Sequence, residues 1–360
     1  MHSASFDRAA GLPPSLTRRE VLSLAGAVAI GCIGPSTAPA AAVDFPKGAV
    51  IRTLLKDVAP DSLGKGAVLF HEHLSMKYPL QAKAHFTDDV DMMIEEVRAA
   101  GKDGISCIVD GGHADMQRSL AALQRIAKAT EVAIVASGGY YMQRTYPPGI
   151  ANQSVDEIAA DLVRDAREQR LGAFGEIGQQ SGELQRDERK VFAAVAKAQV
   201  QTGLPIFTHN AYTGSRQTAT PVPADAALRQ LDILLENGAQ PGQLAIGHVC
   251  CLDEPGAMTA IAVARRGAYV GFDRVTINSI LSDAQRVTMF MKIVEAGYAD
   301  RLLLSSDFAV AGALKARGGA GIGQTVTVFG PMLRKAGLPE ATLRSILIDN
   351  PRRLLAFVPK

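Results

Sequence analysis

The chain contains no tryptophan, and Phe and Tyr bring its aromatic content to only 5%. Without aromatic platforms, recognition of single-stranded nucleic acid by base stacking has nothing to rest on. Neither sign of charge is in excess: 38 basic against 36 acidic residues leave a formal net charge of +2. A phosphate backbone would meet no basic face, so no nucleic-acid partner is expected. Cysteine is scarce as well. Of four, Cys32 lies in the leader described below, which leaves Cys107 and the adjacent pair Cys250 and Cys251. Three thiols with two of them neighbours make no disulfide framework, so the fold has to stand on its core. No G-x-G-x-x-G follows the first apolar run, which removes the main support for a dinucleotide fold.

What is present begins with that leader. Arg18 and Arg19 open TRREVL, the apolar stretch LSLAGAVAIGCIG follows, and PSTAPAAA places small residues at A-x-A spacing. A charged start, an apolar middle and a small-residue end are the anatomy of an export signal, here of the twin-arginine kind. The expectation is a signal over residues 1–40, cleaved near Ala40 or Ala42, and one domain over 41–360. It implies a periplasmic or secreted protein and the twin-arginine translocation machinery as a partner, which carries chains already folded. The apolar run is short for spanning a bilayer, so no stable membrane insertion is expected after cleavage. Lipid attachment at Cys32 is the alternative that AIGC leaves open.

Beyond the leader, 47% hydrophobic residues in 360 supply a large core. Val50–Ala59 reads as a small leading hairpin. Strand-like apolar runs then recur at Gly66–Phe70, Ile105–Asp110, Val132–Ser137, Gly172–Ile177, Pro205–Thr208, Leu244–Gly247, Ala268–Phe272 and Arg301–Ser305. Helical periodicity fills the gaps, over Asp88–Ala100, Met116–Ala129, Val155–Arg170, Asp187–Gln201, Ala224–Asn237, Pro255–Arg266 and Asp283–Ala296. Eight alternating strand and helix units predict an α/β fold, a single-domain (β/α)8 TIM barrel. The glycine-rich Arg317–Gly323 lacks the Lys-Ser/Thr ending of a phosphate loop and reads as a flexible active-site loop. Pro339–Ile348 closes the pattern as a helix, with NPRRLLAF packing against the barrel's outside.

Active sites of such barrels lie at the carboxyl ends of the strands, and those ends are informative here. The first run ends in HEHL: His71 and His73, two apart in a strand, face one way and Glu72 the other. The fourth run ends at Glu176 in GEIG, the fifth at His209, the sixth at His248 and the eighth at Asp307. Each imidazole alone fits a satisfied core or rim histidine. Four of the seven histidines and two carboxylates converging on one mouth do not, because unpaired groups of these types are costly to bury. Divalent metal would neutralise them; imidazole with carboxylate suits zinc first, then manganese, cobalt or iron.

HEHL, GEIG, TGLPIFTHN, AIGHVC, GFDR, SSDF and DNPRRLLAF, in this order and spacing, resemble the phosphotriesterase-like branch of the amidohydrolase superfamily over residues 50–358. The resemblance implies two metal ions: His71, His73 and Asp307 on the buried one, His209 and His248 on the more exposed one. Glu176 stands where relatives carry a carbamylated lysine or a glutamate, so the chain resembles the glutamate-bridged subset. It further implies a metal-bridging hydroxide as nucleophile and Asp307 as the acceptor of its proton. On the lactonase side of the family, Tyr141 aligns with a tyrosine at that hydroxide and Arg274 with an arginine of the substrate pocket. A rim aromatic is the alternative for Tyr141; a partner of Asp273 or a helix-end residue is the alternative for Arg274. Departures from the pattern are Gln324 in place of a histidine, and Ser306 in place of the histidine before Asp307. His113 matches no family role and reads as a rim histidine, with substrate contact as the alternative. Cys250 reads as a small buried hydrophobe, although it lies two residues past His248.

The function expected is a binuclear metal-dependent hydrolase of a small molecule, a lactone or related carboxylic ester or amide. The alternatives are an organophosphate triesterase, and a metal-binding exported protein without turnover. A homodimer is implied by the resemblance only.

Overall fold

The structure is a computed structural model that describes residues 43–77, 87–214 and 222–360. The expected leader, with Arg18, Arg19 and Cys32, lies outside the described residues. Val43–Lys360 forms one compact unit.

The predicted hairpin is present as β1 (Ile51–Arg52) and β2 (Asp57–Val58), paired antiparallel. Eight strands follow, each on an expected run: β3 (Ala67–Glu72), β4 (Ile105–Asp110), β5 (Ala133–Gly138), β6 (Ala173–Gly178), β7 (Ile206–His209), β8 (Leu244–Ile246), β9 (Tyr269–Phe272) and β10 (Leu302–Leu304). They form one parallel sheet in chain order. The chain just beyond its two edges stitches them together. The Asp307 N–H donates to the His71 carbonyl at 3.2 Å, and the His73 N–H donates to the Phe308 carbonyl at 2.9 Å. The result is the (β/α)8 barrel that the alternation predicted.

Side-chain alternation divides the core in two. Val68, Phe70, Cys107, Val109, Val135, Ala173, Phe207, Ala245, Tyr269 and Leu303 fill the barrel interior. Leu69, Ile108, Ile134, Phe174, Ile206, Ile246 and Val270 point outward, under the helices. Those helices are α1 (Val90–Lys102), α2 (Leu120–Ala129), α3 (Val155–Glu168), α4 (Arg186–Thr202), α5 (Ala226–Glu236), α6 (Met258–Arg265) and α7 (Asp283–Glu295). α3 shows why they form. Ser154 and Glu157 make a reciprocal capping box, and Ile158, Ala159, Leu162, Val163 and Ala166 give one buried stripe at helical spacing.

Two helices start later than their periodicity suggested. Gln117 takes a left-handed φ of 57° and Ser119 caps the Ala122 N–H, so α2 begins at Leu120 rather than Met116. Ala257, at φ 52°, likewise delays α6 past Pro255. The C-terminal helix differs more. α8 (Gly330–Lys335) is followed by α9 (Glu340–Arg344) and α10 (Asn350–Leu355), joined by a wide turn over Ser345–Asp349. NPRRLL therefore continues the helix. Its Leu354 and Leu355 pack with the barrel's interior side chains rather than on its outside. Cys107, Cys250 and Cys251 are free thiols, all buried.

Candidate metal centre

Simple alternation would misplace the first ligand. Val68 and Phe70 point into the barrel, so His71 should point out. The ladder between β3 and β4 slips after Leu69: Leu69 faces Ile108, but Glu72 faces Asp110. Three steps on one strand against two on the other is a bulge, and it re-aims the chain. His71 turns inward after Phe70, and His73 follows it. The same device serves Glu176. Phe174 faces Ile206 and Ile177 faces Thr208, and the bulge, which contains the cis peptide Gly175–Glu176, brings the carboxylate inside. His209 needs no irregularity. His248 and Asp307 reach the same space through left-handed backbone, with φ of 59° and 49°.

The six side chains meet as expected. Besides a triplet of His71, His248 and Asp273, the donor atoms of His71, His73, Glu176 and Asp307 form one group within 4.8 Å of one another, and those of Glu176, His209 and His248 form another. Glu176 belongs to both of these. His71 Nε2 lies 3.2 Å and His248 Nε2 3.4 Å from Glu176 Oε2, while His73 Nε2 lies 3.0 Å from Asp307 Oδ1. His248 Nε2 and His209 Nδ1 face each other at 2.8 Å. His71 Nε2 and His73 Nδ1 are buried without a hydrogen-bond partner. Buried imidazole nitrogens crowded against two carboxylates are the donor set of divalent transition-metal ions, and the residues fit them.

The buried groups shift one another's pKa values. Burial opposes charge on His73, but Asp307 and Glu176 outweigh it and push its pKa up to about 9. Burial also opposes charge on His248, yet Asp273 and Glu176 carry it to about 10. For His209 burial wins, and its pKa falls to about 4. Burial disfavours the Glu176 carboxylate, but His71 and His209 hold its pKa well below the usual range. Asp307 likewise overcomes burial, chiefly through Arg274 and His73.

Around this ring stands a second set of contacts that the sequence reading missed. Asp273 accepts from His71 Nδ1 at 2.9 Å and from His248 Nδ1 at 3.0 Å. Glu72 faces away from the cluster, as the spacing predicted, and there it accepts from the Ser306 N–H and hydroxyl and from the Phe308 N–H at 2.7–2.9 Å. It thereby fixes the turn that carries Asp307. Gln230, fully buried on α5, donates to the His209 carbonyl at 3.0 Å and accepts from the Thr208 hydroxyl. A buried polar residue on a helix was the only available signal for Gln230, and the D of GFDR for Asp273.

Arg274 does not pair with Asp273; its Nη1 lies 2.5 Å from Asp307 Oδ2, at the mouth. Tyr141 stands on the other side, its hydroxyl 3.3 Å from His209 Nδ1. Met76, Met116, Tyr141, Met142 and Ala309 make a separate apolar cluster there. His113 stays outside both ligand groups. It is buried and lies 3.3 Å from Asp115 Oδ1, whose other oxygen accepts from the Tyr141 N–H and the Thr145 hydroxyl. Cys250 is buried, its sulfur 3.9 Å from Asp273 Oδ1. The glycine-rich loop expected to be a flexible active-site loop is bracketed by contacts to α1 and its C-terminal cap, Asp103. Lys315 and Ile322 N–H groups donate to Glu96 at 2.9 Å, and Lys315 Nζ meets Asp103 at 2.5 Å.

A (β/α)8 barrel whose mouth gathers four imidazoles and two carboxylates, one of them a glutamate common to both groups, has the donor set of a metal-dependent hydrolase. The profile of the Phosphotriesterase family matches residues 50–355, and the chain belongs to that family. The phosphotriesterase homology protein of Escherichia coli is 29% identical over 79% of this chain and 96% of its own. Its crystal structure superposes with a TM-score of 0.74, covering 81% of this chain and 99% of that one. An aryldialkylphosphatase of Saccharolobus solfataricus is 27% identical over 81% and 95%. An N-acetyltaurine hydrolase of Danio rerio is 26% identical over 85% and 98%. The chain is thus a hydrolase of this family.

Proposed function

We propose that the protein is a binuclear metal-dependent hydrolase of a lactone or a related carboxylic ester or amide. The observation that carries this is Glu176, shared between two groups of ligand atoms at one barrel mouth. His71, His73 and Asp307 would hold one ion, His209 and His248 the other, and Glu176 both; zinc suits this donor set best. Ions held there would supply Lewis acidity toward the substrate oxygen and a water of lowered pKa. Asp307 would accept the proton of the attacking water and pass it to the leaving group. Arg274, on Asp307 Oδ2, keeps that carboxylate ionised. Tyr141 and Arg274 orient the substrate, and Met76, Met116 and Met142 beside Tyr141 offer an apolar face to its non-reacting part.

The carboxylic reading is supported by Tyr141 and Arg274, and its amide form by the name of the Danio relative. The Saccharolobus relative's name supports a phosphotriester instead, whose tetrahedral transition state resembles that of acyl transfer. Export by the twin-arginine route to the periplasm belongs to the same proposal, supported by Arg18 and Arg19. A homodimer is the assembly we propose with it.

The test loads residues 41–360 with zinc or manganese and follows proton release at fixed pH. Lactones, N-acyl amides and one phosphotriester are compared, with a metal-stripped control. A lactone or amide preferred by about 100-fold in kcat/KM, about 2.7 kcal/mol of transition-state discrimination, is the expected result. A phosphotriester preferred by that margin reverses the assignment.

A further inference from the structure

The two ligand groups share more than Glu176. Asp273, just past β9, is fully buried, and its two oxygens serve different rings. Oδ2 takes His71 Nδ1 at 2.9 Å. Oδ1 takes His248 Nδ1 at 3.0 Å and the His248 backbone N–H at 2.7 Å. The two rings stack, with centroids 5.2 Å apart and 22° between planes. Each turns its Nε2 toward Glu176. An ionised carboxylate has no proton to give. Both Nδ1 atoms are therefore donors, and when the rings are neutral both Nε2 atoms carry the ligating lone pair.

We propose that Asp273 is a positioning residue that ties the two ion positions together, one carboxylate setting the ligating tautomer of one ring in each. This rests on the two-ion reading above. A carboxylate behind a ligand histidine is a general device; here a single carboxylate stands behind a ligand from each group. The arrangement is also asymmetric. Asp273→Asn keeps one acceptor oxygen and gains an N–H donor. The oxygen belongs on the His248 side, where two N–H groups converge, so the amide nitrogen faces His71 Nδ1. His71 must then move its proton to Nε2 and cease to ligate.

The test uses the zinc-loaded protein with 15N-labelled histidine, read by NMR for tautomers and by chelator competition for each ion. The unsubstituted protein is expected to hold two zinc ions, with Nδ1–H on both His71 and His248. Asp273→Asn is expected to keep one ion within about threefold of its original affinity and to weaken the other by about 10–100-fold. The His71 proton should move to Nε2 in that variant. Two ions held as before, or both weakened equally, would overturn the assignment. If the variant does not fold, a bare Nδ1 on either ring of the unsubstituted protein overturns it by itself. Fewer than two zinc ions in the unsubstituted protein sinks the two-ion reading and this inference together, whereas two ions with the wrong tautomers sink this inference alone.

Discussion

At the residue scale, the protonation of the cluster makes a direct prediction. His73 and His248, with pKa values pushed up to about 9 and about 10, carry protons at pH 7 in the stripped protein, where an ion needs neutral nitrogens. Loading zinc at pH 7 should release these protons. Calorimetry in two buffers of different ionisation enthalpy reads them, and a heat independent of the buffer refutes the claim. Affinity should rise with pH until about 10. Because the folded values exceed the ordinary 6.5, the stability they give the stripped protein is complete below that pH. It is lost as pH rises through 9–10. Asp307→Asn tests the proton acceptor separately. The amide still offers a ligand oxygen but takes no proton, so kcat should fall about 100- to 10,000-fold while zinc content stays near two. Equal losses of turnover and metal would reject the shuttle.

At the scale of elements, the contacts that matter run between strand ends. Glu72 of β3 collects three donors from the turn after β10, and a glutamine would turn an N–H toward some of them. Glu72→Gln should cost about 2 kcal/mol, the order of two unpaired buried donors. It should weaken the ion on Asp307 more than the one on His209 and His248; an equal effect on both would show that the turn does not matter. Asp115 works in the same way between β4 and the loop after β5. Asp115→Ala removes the acceptor that the Tyr141 N–H and the Thr145 hydroxyl share. KM should rise several-fold with zinc content unchanged, and an unchanged KM would place Tyr141 outside the substrate's reach.

At the scale of the whole molecule, ions bound only by the folded chain stabilise it by mass action. At a free-ion concentration about 1,000 times Kd, each contributes about 4 kcal/mol. Chelation should therefore lower Tm by roughly 10 °C in a domain of this size. A Tm that ignores chelator would mean that the cluster holds nothing. Replacing Arg18 and Arg19 together by lysine should strand the full chain in the cytoplasm without altering the fold of residues 43–360. Export that continues undiminished would remove the twin-arginine reading.

The sequence by itself determined the number and order of the strands, because a parallel strand buried on both faces must be a short apolar run between amphipathic helices. It also determined the ligand types, since imidazole and carboxylate at strand ends are chemically conspicuous. Only the tertiary structure decided which way those ligands point. His71 and Glu176 enter the barrel through bulges, and His248 and Asp307 through left-handed backbone. Neither a register slip nor a positive φ at a non-glycine residue has a reliable local signature, because both are set by the neighbouring strand. The same holds for Asp273, Glu72 and Asp115. Each is an ordinary acidic residue along the chain, and the N–H groups that give it a task come from segments brought close by barrel closure.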